Sequence, residues 1–574
     1  MSPPSSPPSL ARAQELQSQG LYLSAHDAAM AALAGDGDSA ELRHLAVLAL
    51  ARAGATSSAL RLDAQWGLRH AEDAELSGLY PRLLKDIALG TRRPADAEAA
   101  AAAYAALWHR HRDGWHGINA AAMALLAGDR AAAAAIAGVV AALPDRGDYW
   151  SAATRAEAAL LLGDAAAAAA WLRHADARAG ADLSCRATTR RQLRWEAALL
   201  GADPSLADLL AIPDTIHFCG LIPDAPADEA ALRAELDRAL AGVGFAFGSL
   251  AAGGDIAVAE AALARGIAVT VILPFPADLF VERSVRPAGE HWVARFAHCL
   301  RRVRVEVVDA APRDDLDYGL ASRRAMGLAR LHAGGLDSAA WQLALWDGDG
   351  DAASVAGTAA DVAGWRRAGG ATRVLPTPWR RKPRAGPAAP PPRIAGAVLF
   401  GDLPRFGTLD DDALAAFYAG PMAAMGRVVD AAAPRYRNAW GDAIQLVFEA
   451  PAAAAACALA LRDAITPEAL ARFGLPRELV PRLALDYGGL HPVFDAVQGV
   501  AKFAGRAMTR AARIEPITPP GMIYATEAFA CEIALLAAPR VACDYAGIVP
   551  TAKGFGTLPL YAVRPLAAPP ANSA

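Results

Sequence analysis

The sequence predicts a multidomain α and α/β chain. A helical solenoid spans residues 9–205, a doubly wound α/β domain 212–376, and an α+β domain 394–565. Three observations predict it. Two alanine-rich helix–turn–helix segments repeat near the N-terminus, short β-branched runs alternate with helical stretches in the middle, and strands and helices mix without alternation toward the C-terminus. At 574 residues the chain is too long for one ordinary domain. Its 54% hydrophobic and 20% charged residues suit large buried cores and exclude a disordered chain. A formal net charge of -4 argues against a dedicated nucleic-acid binder.

Residues 9–205 read almost wholly as helix, with Gly-Asp and Gly-Ala pairs marking turns. LLAGDRAAAAAIA and LLLGDAAAAAAWL place Gly128 and Gly163 at the same point of two copies. Their separation is close to the ~34-residue period of tetratricopeptide (TPR) helix pairs, which stack because one pair cannot bury its apolar face alone. The other reading is that alanine-rich helices look alike by composition. From Asp214 to Pro376 the runs TIHFCG, GVGFAFG, AVTVILP, RVRVEVVD, WQLALWDGD and TRVLP predict strands between helices. A proline- and arginine-rich stretch, Thr377 to Arg393, reads as a linker. Beyond it come a strand (AGAVLFGDL), a hairpin (YRNAWGDAIQLVF), an alanine-rich helix, the strand LALDYGG, a helix around GRAMTRAARIE, and the strands GMIYAT and LYAV. TPEALARFGLPRELVP reads as a surface connection.

Six scattered cysteines without a CxxC pair predict reduced thiols, neither disulfides nor a zinc cluster. MSPPSSPPSL lacks the pattern of a secretory signal. The apolar run Ala131–Leu143 falls short of the ~20 residues of a membrane span. The expectation is a cytoplasmic protein with neither membrane nor nucleic-acid partner.

Asp402 in LFGDL and Asp442 in NAWGDAIQLVF each sit at the end or turn of an apolar strand. Carboxylates on neighbouring strands cradle Mg²⁺, a hard cation that commonly shares itself with phosphate; each Gly-Asp alone also reads as a turn. The order FGDLPRFGTL, NAWGDAIQLVF, FAGRAMTRAARIEP with PPGMIYATE, then AKGFGTLPLYAV resembles the catalytic domain of class III nucleotidyl cyclases over most of residues 394–565.

That resemblance implies a ferredoxin-like α+β cyclase domain that turns a nucleoside triphosphate into a 3′,5′-cyclic nucleotide and pyrophosphate. It implies two Mg²⁺ or Mn²⁺ ions on Asp402 and Asp442, charge stabilisation by Arg513, and a triphosphate contact from Lys553. The ribose-orienting asparagine is Thr509 here, and the base-selecting positions fall on Asn438 and Lys502, so the base stays open, with ATP the favoured substrate. Such sites form between two catalytic domains, so a homodimer is implied. The alternative is a catalytically inactive cyclase-like nucleotide receptor or scaffold that recruits partners through the TPR-like surface; the three departures support it. Arg405, Arg427 and Glu515 read as solvated charges.

In the middle domain, GFAFGSLAAGGDIAVAEAALARGIAVTVILPF sets Gly248, Ser249, Gly253, Gly254 and Asp255 between a strand and a helix, where backbone N–H groups can meet a phosphate. This resembles the SLOG superfamily of Rossmann-like nucleotide-binding domains. The other reading makes Asp255 an N-cap and the glycines a tight turn. Glu282 reads as a solvated residue, not as the acid of a deoxyribosyltransferase-type enzyme.

RHLAVLALARAGATSSAL, YPRLLKDIALG, WHGINAAAMALLAGD and DYWSAATRAEAALLLGD resemble the TPR sensor domain (TPR-S) of bacterial nucleotide-signalling systems. Arg82, Lys85, Asp86, Trp115 and Asn119 are candidates there for an anionic, nucleotide-derived ligand. The favoured plain reading makes Lys85–Asp86 a helix-end charge pair and Trp115 a core anchor. His109, His111 and His116, with Asp113, read as a polar helix end in preference to a zinc site.

Overall fold

A computed structural model describes residues 8–35, 37–180, 182–225, 228–379 and 393–566. The N-terminal part is helical from Pro8–Ser18 to Leu183–Leu200. The two repeated turns share one geometry. Gly128 and Gly163 have φ of +94° and +83°, which a Cβ would strain. The following Asp129 and Asp164 accept the N–H groups of Ala132 and Ala167, capping the next helix. The Leu183–Leu200 helix touches Pro8–Ser18, Gly114–Leu126 and Tyr149–Leu161, and buries Ser184, Thr189, Gln192 and Glu196. This helix thus carries a polar strip into an otherwise apolar core.

Six parallel strands follow: β1 (Asp214–Gly220), β2 (Val243–Gly248), β3 (Ala268–Leu273), β4 (Arg304–Val307), β5 (Ala340–Leu345) and β6 (Ala371–Leu375), in the order β4-β3-β2-β1-β5-β6. The strand direction of growth reverses between β1 and β5, which is where doubly wound sheets open a crevice. Thr215 to Cys219 are all buried, as expected of a parallel strand covered on both faces.

The C-terminal sheet contains β7 (Ile394–Asp402), β8 (Tyr436–Trp440), β9 (Ala443–Phe448), β10 (Arg482–Asp495), β11 (Val500–Ala504), β12 (Ile523–Thr526), β13 (Val541–Pro550) and β14 (Thr557–Pro565). Its order is β13-β14-β12-β10-β7-β9-β8, with β11 on β10. The β10–β12 pairing is parallel and the rest antiparallel, so the sheet is mixed.

Two local readings are corrected. β10 runs well past LALDYGG and pairs with β11 as an arm that exposes Phe494 (70%) and Val497 (96%). The connection around TPEALARFGLPRELVP is not purely superficial, because Leu470, Leu475 and Leu479 enter the domain core. Residues 380–392 of the expected linker lie outside the described residues. Both flanks are anchored: Trp379 packs edge-on to Trp292, and Arg393 bonds to Asp314 at 3.0 Å and Asp317 at 2.6 Å.

The Leu316–Leu336 helix joins the α/β domain to the C-terminal one. Gly327 lies so close to Cys531 that a Cβ would meet backbone atoms, and Arg323 bonds to Glu532 at 2.7 Å. Arg324 pairs with Glu306 and Glu527. Asp309, just beyond β4, holds Arg506 at 2.6 Å. From the helical part, Asp27 accepts the Tyr545 hydroxyl at 2.8 Å and Arg61 donates to the Tyr524 hydroxyl at 2.9 Å. Among the described residues no helix is long and apolar enough to cross a membrane.

Candidate active site

Asp402 ends β7, and Asp442 follows Gly441 in the tight turn between β8 and β9. Gly441 has φ +62°, the left-handed conformation that lets two adjacent strands reverse so abruptly. The Leu403 N–H donates to Asp442 Oδ2 at 3.1 Å and ties this turn to the end of β7. The two carboxylates therefore abut. Burial first, and then the adjoining Asp402 carboxylate, push Asp442 up to about 6. Two carboxylates this close need a shared proton or a cation between them, and Mg²⁺ or Mn²⁺ fits that donor set. Among the described residues no group of three or more His, Cys, Asp or Glu side chains is arranged around a metal position.

Two further residues belong to this cluster. Arg482 opposes Asp402 in the β10–β7 register and forms an ion pair with it. It also pairs with Glu515 at 3.0 Å. Glu515 is not a solvated charge. Burial pushes it up to about 7, with Arg482 opposing and Asp402 and Asp442 adding repulsion.

The Arg506–Ile514 helix presents Thr509, Arg510 and Arg513 along one side. Thr509 is exposed, with its hydroxyl 3.5 Å from the Gly505 carbonyl. Arg510 is committed to Asp486 at 2.6 Å. Among the described residues Arg513 has no hydrogen-bond or ion-pair partner. Lys553 is exposed, in a left-handed conformation at φ +58°. No hydrogen bond or ion pair joins Arg513, Thr509 or Lys553 to the aspartate pair within one chain. Asn438 faces Gln445 across the β8–β9 hairpin, and Lys502 on β11 pairs with Asp495 at 2.5 Å.

In the middle domain Asp255 is buried and accepts the Ala251 N–H at 3.1 Å; burial pushes it up to about 7. It thus bonds back to the preceding loop, which is not the geometry of an N-cap. Gly253 has φ +88°, and a Cβ on Gly254 would lie 2.5 Å from the Gly220 Cα. Close backbone approach explains both glycines. Glu282 is exposed and pairs with Arg286.

In the helical domain Lys85 and Asp86 lie inside the Leu79–Thr91 helix and form no ion pair with each other. Lys85 donates to Asn119 at 2.7 Å and Gln192 at 3.2 Å. Trp115 meets Tyr104 edge-on, with ring centroids 5.9 Å apart. His116 is buried on Asp113 at 2.5 Å and stacks near His111, and among the described residues no metal-binding group forms there.

Residues 21–124 match the Tetratricopeptide Repeats-Sensor family. No curated protein sequence matches the chain. Among solved structures, the chain is similar to the adenylyl cyclase CyaB from P. aeruginosa, at 16% identity and TM-score 0.28, over 30% of this chain and 96% of that one. It is similar to the guanylate cyclase domain of RhGC from Catenaria anguillulae in complex with GTP, at 16% identity and TM-score 0.26, over 30% and 98%. A third is an adenylate cyclase from Trypanosoma brucei in its monomeric state, at 16% identity and TM-score 0.24, over 30% and 90%.

Arg482 and Glu515 were missed by sequence reasoning. Arg482 opens the LALDYGG strand and had one available signal: an arginine entering a strand that must run beside the one ending in Asp402. Glu515 carries no local signal, since only the packing of the helix end beneath β7 and β10 brings it there.

Proposed function

We propose that the C-terminal domain is a nucleotidyl cyclase, converting a nucleoside triphosphate, with ATP favoured, into a 3′,5′-cyclic nucleotide and pyrophosphate. The observation that carries this is the abutting pair Asp402 and Asp442, set by a strand end and a tight hairpin. These carboxylates would hold two Mg²⁺ or Mn²⁺ ions, with triphosphate and water completing the coordination. When bound, the metals supply charge neutralisation at the attacking 3′-oxygen and the triphosphate.

The chain's own residues orient and neutralise. Asp402 must exchange its Arg482 partner for the cation. Arg513, unpartnered on its helix, supplies bidentate donors to the α-phosphoryl oxygens, and Lys553 a point charge to the departing pyrophosphate. Thr509 donates one hydroxyl hydrogen bond to the ribose. Arg513 and Lys553 stand apart from the aspartates of their own chain, so a two-fold dimer completes each site with the partner's copies. The exposed apolar arm at Phe494 and Val497 supports that dimer. The helical and α/β domains regulate the catalytic one through their shared contacts.

The test is purified full-length protein with Mn²⁺ and each of ATP, GTP, CTP and UTP, scored for cyclic product. Product from one triphosphate, lost in Asp442→Ala, establishes the reading. A second reading, a nucleotide receptor without turnover, draws on the Lys502–Asp495 pair, which occupies a base-selecting position. Metal-dependent nucleotide binding without product selects it.

A further inference from the structure

The contact between the α/β and C-terminal domains is not closed. It surrounds a cavity of about 440 Å³, within the size range of small-ligand sites. The stretch from Val307 to Arg313 and the Leu316–Leu336 helix line it from one domain, and β10, the Arg506–Ile514 helix and the loop at Phe555 from the other. The cavity is separate from the aspartate pair. On β10 it is lined by Tyr487, Gly488 and Gly489, whereas Arg482 is the residue opposite Asp402, so the two places lie roughly 20 Å apart along the strand.

Charge is distributed unevenly over this cavity. Four carboxylates line it, and each is committed to an arginine. Asp317 holds Arg393 at 2.6 Å, Glu532 holds Arg323 at 2.7 Å, and Glu527 pairs with Arg324. Asp309 serves two, Arg506 at 2.6 Å and Arg313. None of the four carboxylate side chains is more than 13% exposed. Arg506 is 47% exposed and Arg313 35%. One sheltered carboxylate is therefore divided between two accessible guanidiniums, and a molecule entering the cavity meets cation before carboxylate. Apolar side chains complete the lining. Val307 at the end of β4 and Phe555 are both exposed, one from each domain, with Leu320 and Leu558 beside them in the wall. A bare inorganic anion would leave that apolar surface in water, and a hydrocarbon would leave the guanidiniums unused.

We propose that this interdomain cavity binds a small organic anion, its phosphate or carboxylate on Arg506 and Arg313 and its apolar or aromatic body against Val307 and Phe555. Guanidiniums suit either head group through paired N–H donors. Arg506 opens the helix that carries Thr509 and Arg513, and Phe555 lies two residues beyond Lys553, so the occupant touches both elements that bear the proposed catalytic cations. An effect on turnover rests on the cyclase reading; the binding itself does not.

The experiment uses the full chain without metal or triphosphate, so its outcome is independent of turnover, and follows naphthyl phosphate and naphthoate by calorimetry. At least one is expected to bind, and the tighter of the two identifies the head group. Arg506→Gln should weaken binding by about tenfold or more. Asp309→Asn should instead tighten it several-fold, because it frees two guanidiniums from their shared carboxylate; weaker binding in both variants would make the cluster a structural support and overturn the proposal. Should the Asp309 variant fail to fold, Phe555→Ala decides, since it trims an exposed ring, and several-fold weaker binding supports the site. Arg513→Gln should bind as wild type does. The proposal is also overturned if neither probe binds at millimolar concentration, if Arg506→Gln and Phe555→Ala both bind as wild type, or if binding is lost in Arg513→Gln and kept in Arg506→Gln.

Discussion

Two glycines on one helix should respond to the same substitution with opposite signs. In Leu316–Leu336, an ideal Cβ on Gly327 would sit 2.3 Å from Cys531 Cβ, 2.5 Å from its Cα and 2.7 Å from its carbonyl oxygen. Ordinary contact begins at 3.4 Å, so the helices must part by roughly 1 Å, and backbone cannot swing aside as a side chain can. Overpacking of this kind costs about 1–3 kcal/mol. Separation would also pull Arg323, whose side chain is 38% exposed, from Glu532, so the overlap and a strained ion pair are alternative costs and the smaller one is incurred. Gly327→Ala is therefore expected to destabilise by about 1–3 kcal/mol. For a domain of this size that lowers the unfolding midpoint by about 2–12 °C. Gly334 has nothing within 4 Å, so Gly334→Ala should stabilise by about 0.5–1 kcal/mol through helix propensity. Thermal unfolding of the three full-length proteins, followed by circular dichroism, makes the comparison. A Gly327→Ala midpoint at or above wild type, or shifts of one sign in both variants, would refute the reasoning.

Asp402→Ala should abolish cyclic-nucleotide production with Mn²⁺ while leaving the circular dichroism unchanged; retained turnover would remove Asp402 from the metal site. Arg482→Gln frees Asp402 from its cation, and Mn²⁺ affinity measured by calorimetry should rise about fivefold, the worth of a ~1 kcal/mol partly exposed pair. Weaker Mn²⁺ binding would instead make Arg482 part of the site's support. Asp255 is held at about 7, above its ordinary value of 3.8, so the folded state retains a proton that the unfolded state has released. Its contribution to stability is present below pH 4 and lost as pH rises through 7. Asp255→Asn should then match wild type near pH 4 and exceed it above pH 7, by up to about 4 kcal/mol, in urea unfolding across that range.

What was legible in the sequence is what local pattern encodes. The inner strands of the parallel sheet stand out as apolar runs because both of their faces are covered, whereas the edge strands β4 and β6 are largely exposed, and the Gly128 and Gly163 turns stand out because a left-handed residue followed by a capping aspartate leaves a fixed signature. The aspartate pair was legible because both carboxylates sit at strand ends. Arg482 and Glu515 were not, since strand register and helix packing bring them to Asp402 across long stretches of chain. The β10–β11 arm escaped because Pro492 interrupts the apolar run and the Val and Phe residues beyond it are exposed, without the alternation of a half-buried strand.

The two ends of the proline-rich segment are fastened, Trp379 against Trp292 and Arg393 beneath the two aspartates that open the Leu316–Leu336 helix. A protease that nicks the chain between them therefore need not liberate its C-terminal third. The halves remain clasped by the helix they share, as a complementing pair of fragments does. It follows that lengthening the segment changes neither the local concentration of one domain near the other nor their orientation. Under the proposed regulation, a signal arising in the helical part would pass across these contact surfaces.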